Sequence, residues 1–277
     1  MRWTGWLSVG LMVALSGCAA RQHESAAPAA PAATAPVITR ILQRGELAVG
    51  TTIDQPPLAM KATSGNIIGL EPDLGQAMAD AMGVKLRLVP LPFADLIPAL
   101  EKGQIDLALG GMTMTPERNL KVAFVGPYLL SGKTIVARSD EIARLKDRDK
   151  LKSSSLRVAA LQASTSEAFV RSFLPNAQLT LVNSYDAAVR LLVDRKADAI
   201  VADYPAALLA AMRFPKVNLE VLKDPLSFEP LGIALPPNDP LLVNWTMNFL
   251  DQLDGTGALE SLQDKWFSNQ DWLKQVE

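Results

Sequence analysis

IDLALGGMTMTPER, running from Ile105 to Arg118, is the stretch of sequence that decides the fold of this chain. The apolar run Ile105–Leu109 predicts a buried strand. Gly110 and Gly111 follow it, and Thr115-Pro116-Glu117 predicts a helix start, with a hydroxyl at the N-cap and proline at the first helical position. A strand-to-helix turn of this kind gathers unpaired N–H groups, a positive dipole end and hydroxyls at one point.

Arg118 lies in the first turn of the predicted helix, where a cation is poorly placed relative to the helix dipole. This position indicates a role for the side chain, because a guanidinium group can hold a small carboxylate by two parallel hydrogen bonds. The stretch alone leaves a second interpretation open, in which Arg118 is a surface arginine on a turn.

Strands alternate with helices on both sides of this stretch, which is typical of an α/β fold with open, mainly parallel sheets. Leu74, Met78 and Met82 mark the apolar face of a helix that Gly83 ends. The pattern starts again after Tyr128. Residues 93–109 can be laid without gaps on residues 185–201, so that Asp106 meets Asp198. This internal similarity predicts two lobes of similar plan.

The first residues of the chain predict an export signal. Arg2 is followed by an apolar run, residues 6–15, that is too short to span a bilayer. The sequence Leu15-Ser16-Gly17-Cys18 resembles the lipobox of bacterial lipoproteins, whose cysteine is acylated. We therefore expect a signal peptide at residues 1–17, a lipid anchor (palmitate) on Cys18 and an Ala/Pro-rich tether over residues 18–37. The alternative is an ordinary signal peptide with an incidental cysteine.

Composition excludes several classes of function. Lysine and arginine total 27 against 29 aspartate and glutamate residues, without a basic run, which argues against nucleic-acid binding. The one histidine, His23, lies in the predicted tether, and Cys18 is the one cysteine. The rest of the chain has no imidazole base and no histidine or cysteine metal ligand, so we expect no metal site and no cofactor.

Seven motifs follow one another in an order typical of one protein family. They are GLEPDL (69–74), IDL with GGMTMTPER (105–118), FVGPY (124–128), LQAST (161–165), ADAIVAD (197–203), LGIAL (231–235) and GAL with the later tryptophan (257–266). With them the chain resembles the bacterial periplasmic solute-binding proteins of family 3, which serve polar amino-acid ABC importers.

The resemblance implies an α/β fold, the two-lobe clamshell of the type II periplasmic binding proteins. Each lobe would be an open mixed or parallel sheet flanked by helices, with the hinge crossed twice. Lobe 1 would comprise residues 38–130 and 228–277, and lobe 2 residues 131–227. Ligand would bind in the cleft and close it.

The resemblance also implies roles for individual residues. Arg118 would grip the ligand carboxylate with Thr113 beside it, and Asp203 would hold the α-ammonium group together with the Gly111 carbonyl. The lobe 2 turn, Ser164-Thr165-Ser166, would close on the carboxylate. The ring of Phe93 would form an apolar wall. A zwitterion requires a cation and an anion close together in a dry cleft, which agrees with this arrangement.

Each of these residues also has a purely structural interpretation. Phe93 could be ordinary core, Thr113 could satisfy a turn, and Asp203 could cap the helix that follows it.

Three positions depart from the family pattern. Many family members carry an acidic or an aromatic residue at the position of Thr52 or Gln55. The neighbouring Asp54 could supply the acid if the alignment is shifted by one or two residues. Ser164 replaces the usual glycine of the lobe 2 turn, and Pro72 interrupts an acidic-apolar-acidic run. We therefore include Gln55 among the candidate ligand residues and leave the ligand's identity open.

The leading hypothesis is an extracytoplasmic, non-enzymatic lipoprotein that captures a small amino acid or related carboxylate and delivers it to ABC permease subunits. We expect a monomer in the periplasm, anchored through Cys18 to a membrane, with Ala19 favouring the outer membrane.

Two rival hypotheses remain open. Some relatives of this fold are cyclohexadienyl (prephenate/arogenate) dehydratases, and Glu229 lies near the position of their catalytic acid. However, Ala163-Ser164 lacks the Gly-Gly pair that we associate with those enzymes. The second rival is a sensing module that docks on a signalling receptor, because transport and sensing use the same closure.

Overall fold

The computed structural model describes residues 35–141, 151–152, 154–268 and 271–276. The predicted signal peptide (1–17), Cys18, His23 and the tether as far as residue 34 lie outside these residues. In the described part of the chain, none of the helices combines the length and the apolar character needed to cross a membrane.

The secondary structure alternates as predicted. The helices are α1 (Pro36–Arg44), α2 (Leu70–Met82), α3 (Leu96–Glu101), α4 (Pro116–Asn119), α5 (Thr165–Phe173), α6 (Tyr185–Val193), α7 (Tyr204–Arg213), α8 (Pro240–Gly255) and α9 (Ala258–Phe267). Short 3-10 helices span Phe93–Asp95, Pro215–Val217 and Asp271–Gln275.

The strands form two five-stranded sheets and one small sheet. They are β1 (Glu46–Thr51), β2 (Asp54–Gln55), β3 (Ala59–Lys61), β4 (Ile67–Ile68), β5 (Lys85–Pro90), β6 (Leu107–Ala108), β7 (Ala123–Ser131), β8 (Lys133–Arg138), β9 (Arg157–Leu161), β10 (Gln178–Val182), β11 (Ala199–Asp203), β12 (Leu219–Val221) and β13 (Glu229–Leu235).

The two large sheets share one topology, which confirms the predicted two-lobe α/β fold. Lobe 1 has the order β5-β1-β6-β13-β7 and lobe 2 the order β10-β9-β11-β8-β12. In each sheet three parallel strands are followed by two that run antiparallel to their neighbours. The small sheet, β2-β3-β4, is antiparallel, and its β3–β4 hairpin turns through Gly65.

The internal similarity has a matching detail in both lobes. The Asp106 carboxylate accepts a hydrogen bond from the N–H of Ala48, and its own N–H donates to the Ala48 carbonyl. Asp198 makes the same two bonds with Arg157. Each aspartate thus aligns the central strand of its sheet, β6 or β11, with the neighbouring parallel strand, β1 or β9. This structural role explains the position of the aspartate just before the strand.

The chain passes twice between the large sheets, once from β7 to β8 and once from β12 to β13. Gly132 lies at the first passage, where a Cβ atom would be 2.6 Å from the Ser227 carbonyl oxygen of the second. Because a carbonyl oxygen of the backbone cannot simply move aside, this close approach of the two crossing segments requires glycine.

Caps set several element ends, as the sequence indicated. Helix α2 lies between Gly69 and Gly83, and Gly83 has the left-handed conformation with φ of 68°. Helix α4 starts at Pro116, where the Thr115 hydroxyl accepts a hydrogen bond from the N–H of Arg118.

Two boundaries differ from the prediction. Helix α1 begins at Pro36, and Val37 is buried, so the last two residues of the predicted tether belong to the folded body. Strand β6 spans Leu107–Ala108, which is shorter than the predicted run Ile105–Leu109. Helix α5 begins at Thr165, directly after its N-cap Ser164.

Apolar packing extends from one lobe to the other. One buried cluster contains Phe93 and Met112 from lobe 1 together with Tyr185 and Ala202 from lobe 2. Phe93 is the predicted ligand residue in this cluster, and Thr113, Arg118 and Thr165 also make contacts between the lobes.

Candidate functional site

Arg118 joins the two lobes. Its guanidinium group donates a 2.8 Å hydrogen bond to the carbonyl of Thr113 in lobe 1 and a 3.1 Å bond to the carbonyl of Ala163 in lobe 2. The guanidinium carbon lies 5.3 Å from the centre of the Phe93 ring, a cation–π arrangement. Phe93 is therefore both buried and part of the site.

The charge of Arg118 is poorly compensated. Among the described residues, no carboxylate lies within ion-pair distance of its guanidinium group. Burial lowers the pKa of Arg118, while the more distant charges of Glu229 and Asp203 act in the opposite direction. A partly buried cation in this position favours an added anion.

Two threonines from opposite lobes converge on Glu229. The hydroxyls of Thr113 and Thr165 lie 3.2 Å apart and donate bonds of 2.6 and 2.9 Å to Oε2 of Glu229. Burial by itself would raise the pKa of Glu229, but the Lys133 charge and these hydroxyl bonds, with a further bond from Ser227, hold it below its usual value. Glu229 is therefore ionised at neutral pH.

Lys133 is a site residue that the sequence prediction missed. Its side chain is 1% exposed, and its ammonium group lies 2.7 Å from Oδ1 of Asp203. The two residues are direct neighbours on the antiparallel strands β8 and β11. Oδ2 of Asp203 accepts a 3.3 Å bond from the Tyr185 hydroxyl. The available signal was a lysine at the start of the otherwise uncharged, β-favouring run Lys133–Ala137.

Asp203 does not cap helix α7 with its side chain, so its alternative structural interpretation fails. Its side chain instead forms the buried pair with Lys133. The prediction that Asp203 binds a ligand ammonium group stays a prediction, and it now has to account for the lysine beside it.

Gly111 and Gln55 pack together beneath the site. Gly111 has a φ of +63°, and a Cβ atom there would lie 2.4 Å from Oε1 of Gln55. The N–H of Gly111 donates a 2.5 Å bond to Glu71, which also accepts a bond from the Tyr128 hydroxyl. Burial raises the pKa of Glu71 to about 7, although the bonds from Tyr128 and Gly111 oppose that shift.

The lobe 2 turn is held by internal bonds. The Ser164 hydroxyl accepts hydrogen bonds from the N–H groups of Ser166 and Glu167 and donates one of 2.6 Å to the Leu161 carbonyl. Serine therefore acts as a helix N-cap in place of the family's glycine. Ser166 is fully buried. Ligand contacts by Ser164 and Ser166 stay predictions.

A second link between the lobes lies at Asp54. Its Oδ2 accepts a 2.7 Å bond from the N–H of Tyr185 at the start of α6. Burial raises the pKa of Asp54 to about 6; the Tyr185 bond opposes the shift, and the charge of Asp186 adds to it. A cavity of about 520 Å³ adjoins Asp54 between the lobes, and none of the predicted ligand residues lines it.

The sequence profile of the bacterial extracellular solute-binding proteins, family 3, matches residues 47–269. A cyclohexadienyl dehydratase of Pseudomonas aeruginosa is 26% identical over 229 residues, which cover 83% of this chain and 85% of that protein. The L-arginine-binding protein of Pseudomonas aeruginosa is 30% identical over 240 residues, covering 79% and 87% of the two chains.

A solved structure extends this similarity to three dimensions. It is that of an ancestral amino acid-binding protein described as a precursor of cyclohexadienyl dehydratase. That structure matches with a TM-score of 0.76 at 36% identity, covering 83% of this chain and 98% of the other.

Proposed function

The chain belongs to the bacterial extracellular solute-binding proteins, family 3, and from this premise we propose that it captures a small amino acid or related carboxylate between its lobes for delivery to an ABC importer. A substrate-binding role outside the cytoplasm is what the family does. The ligand, the delivery step and the site residues are the proposed parts.

The observation that carries the proposal is the position of Arg118. Its guanidinium group lies between the lobes, contacts both of them, and has a poorly compensated charge. A ligand carboxylate that displaced the two carbonyl acceptors would receive parallel N–H bonds from Arg118. It would also lie near the hydroxyls of Thr113 and Thr165. Because these groups come from both lobes, such a ligand stabilises the closed form.

The cellular placement is proposed from the sequence. We propose that the mature protein is a periplasmic monomer tethered to a membrane through an acylated Cys18, with Ala19 favouring the outer membrane, and that its closed form docks on permease subunits. Metabolic labelling with a radioactive fatty acid should mark the wild-type protein, and Cys18→Ala should abolish the label.

A thermal-shift screen against the twenty amino acids and small organic acids tests the binding function. A ligand that binds only the folded form stabilises it and so raises the melting temperature. At a ligand concentration one hundred times the dissociation constant, the free energy of unfolding increases by about 2.7 kcal/mol. Compounds that raise the melting temperature of the wild type should have no such effect on an Arg118→Ala variant. A complete absence of hits among both groups of compounds would contradict the proposal.

A dehydratase is the second candidate, and the Pseudomonas dehydratase relative is the observation in its favour. The hydrogen-bonded, ionised state of Glu229 weighs against it, because a general acid must carry a proton. Incubation with prephenate and arogenate, followed by chromatography of the products, tests the activity. Release of phenylpyruvate or phenylalanine would establish the enzyme.

A further inference from the structure

The carboxylates of the candidate site already have partners within the protein. Oδ1 of Asp203 pairs with Lys133 at 2.7 Å, and Oδ2 accepts from the Tyr185 hydroxyl at 3.3 Å. Asp203 is 5% exposed and Lys133 is 1% exposed, so this ion pair is closed to bulk water.

Glu229 is engaged in the same way. Its Oε1 accepts a 2.7 Å bond from Ser227, and its Oε2 accepts bonds from Thr113 and Thr165. The Lys133 ammonium group lies 3.6 Å from that same Oε2. One buried lysine therefore lies beside both carboxylates, closer to Asp203 than to Glu229, and neutralises one of their two charges.

The guanidinium group of Arg118, in contrast, has no oppositely charged partner of this kind among the residues that the structure describes. Arg118 donates to two neutral carbonyl groups, those of Thr113 and Ala163. Within the described ranges it has no carboxylate at ion-pair distance. In this described part of the protein Arg118 therefore lacks an anionic partner, whereas Asp203 and Glu229 both already lie beside the Lys133 ammonium group.

We propose that Lys133 sets the ligand class, and that the site takes a carboxylate without an α-ammonium group, such as a 2-oxo acid, in preference to the matching amino acid. This inference rests on the proposed function. An ammonium group placed to contact Asp203 would lie beside the Lys133 ammonium group, and two like charges in a dry site repel strongly. An oxo group at the same position accepts hydrogen bonds and carries no charge.

Matched ligand pairs test this preference with the unmodified protein. Calorimetry would compare pyruvate with alanine, 2-oxoglutarate with glutamate, and phenylpyruvate with phenylalanine. At least one oxo acid should bind ten-fold or more tightly than its amino acid. Equal or tighter binding of the amino acids overturns the inference and leaves the proposed function intact. Failure of both groups, with no hit in the wider screen, overturns the proposed function as well.

The variant Lys133→Met tests whether Lys133 causes the preference for the oxo acid over the amino acid. With Asp203 no longer neutralised, the ratio of oxo-acid to amino-acid affinity should shift at least ten-fold towards the amino acid. Lys216→Met, a change of an exposed lysine in the same lobe, should leave the ratio unchanged. A folded Lys133→Met variant with an unaltered ratio would overturn the role of Lys133. If that variant does not fold, the wild-type ligand pairs still decide the ligand class.

Discussion

The guanidinium group of Arg118 in lobe 1 donates a hydrogen bond of 3.1 Å to the carbonyl oxygen of Ala163 in lobe 2. Ala163 has a φ of 58°, in the left-handed region that few residues with a side chain adopt. The carbonyl therefore reaches the guanidinium group from a turn of unusual backbone conformation. Because the two residues belong to different lobes, the complete environment of Arg118 exists only when the lobes are together.

Arg118→Ala should abolish ligand binding without unfolding the protein. Loss of one partner of a buried charge contact costs about 3–5 kcal/mol, which takes a micromolar dissociation constant to about millimolar. Calorimetry with a ligand found by the screen measures the change. Arg87→Ala, at an exposed position on β5 of the same lobe, is the control and should bind normally. An unchanged affinity in Arg118→Ala would remove Arg118 from the site.

Asp54 should make lobe closure sensitive to pH. In the closed form burial raises the pKa of Asp54 to about 6, against an ordinary value near 3.9 when the lobes separate. The closed form thus binds the proton more tightly, and closure is favoured at low pH and weakened as the pH rises through about 6.

Small-angle scattering of ligand-free protein at pH 5 and pH 7.5 checks this expectation. The radius of gyration should be larger at pH 7.5. Asp54→Asn, which keeps an acceptor for the Tyr185 N–H but carries no charge, should remove most of the difference. Asp95→Ala, an exposed carboxylate in lobe 1, should retain it. A radius that grows on acidification would contradict the assignment.

Ser164→Ala should lower the free energy of unfolding by about 1 kcal/mol, the usual cost of losing a helix N-cap. Ser164→Thr should recover much of that loss, because a threonine hydroxyl can accept the same N–H bonds and still donate to the Leu161 carbonyl. Urea unfolding measures both variants. If Ser164→Ala is as stable as the wild type yet binds ligand poorly, the hydroxyl acts on the ligand and its capping role is minor.

Ionisation of Glu71 should lower the free energy of unfolding as the pH rises. Its pKa is raised to about 7 in the folded state, so the protonated form is favoured by folding. The stabilising contribution is complete below the unfolded value near 4.3 and is lost as the pH passes through 7. At about 1.4 kcal/mol per pKa unit, the complete loss is about 4 kcal/mol.

The difference in unfolding free energy between the wild type and Glu71→Gln isolates this effect, since the other titrating groups cancel. Measured by urea unfolding, that difference should change by about 3 kcal/mol in favour of Glu71→Gln between pH 4.5 and pH 8. A difference that stays constant over this range would show that Glu71 titrates normally.

Sequence patterns predicted much of the architecture, because strands, turns and helix caps depend mainly on residues that are close together in the sequence. The strand, the glycine pair and the Thr115 cap of the central stretch are local features, and the structure contains all three. The match of Asp106 with Asp198 likewise predicted a shared plan, since both residues occupy equivalent places in repeated units.

The polar partners of the site were not predictable in this way. Lys133 and Asp203 are 70 positions apart, and they meet because β8 and β11 pair in one particular register. Glu71 and Tyr128 meet through packing of helix α2 on the lobe 1 sheet. Nothing in the local sequence around any of these residues indicates its partner.

The sequence by itself determined the order of helices and strands, the family and the candidate cation Arg118, because periodicity, caps and motifs are properties of short segments. Only the tertiary structure decided which charges are compensated. It assigned Lys133 to Asp203 and left Arg118 with neutral carbonyl acceptors. The energy of a charge depends on the groups within a few ångströms of it, and those groups come together only when distant strands and both lobes are in place.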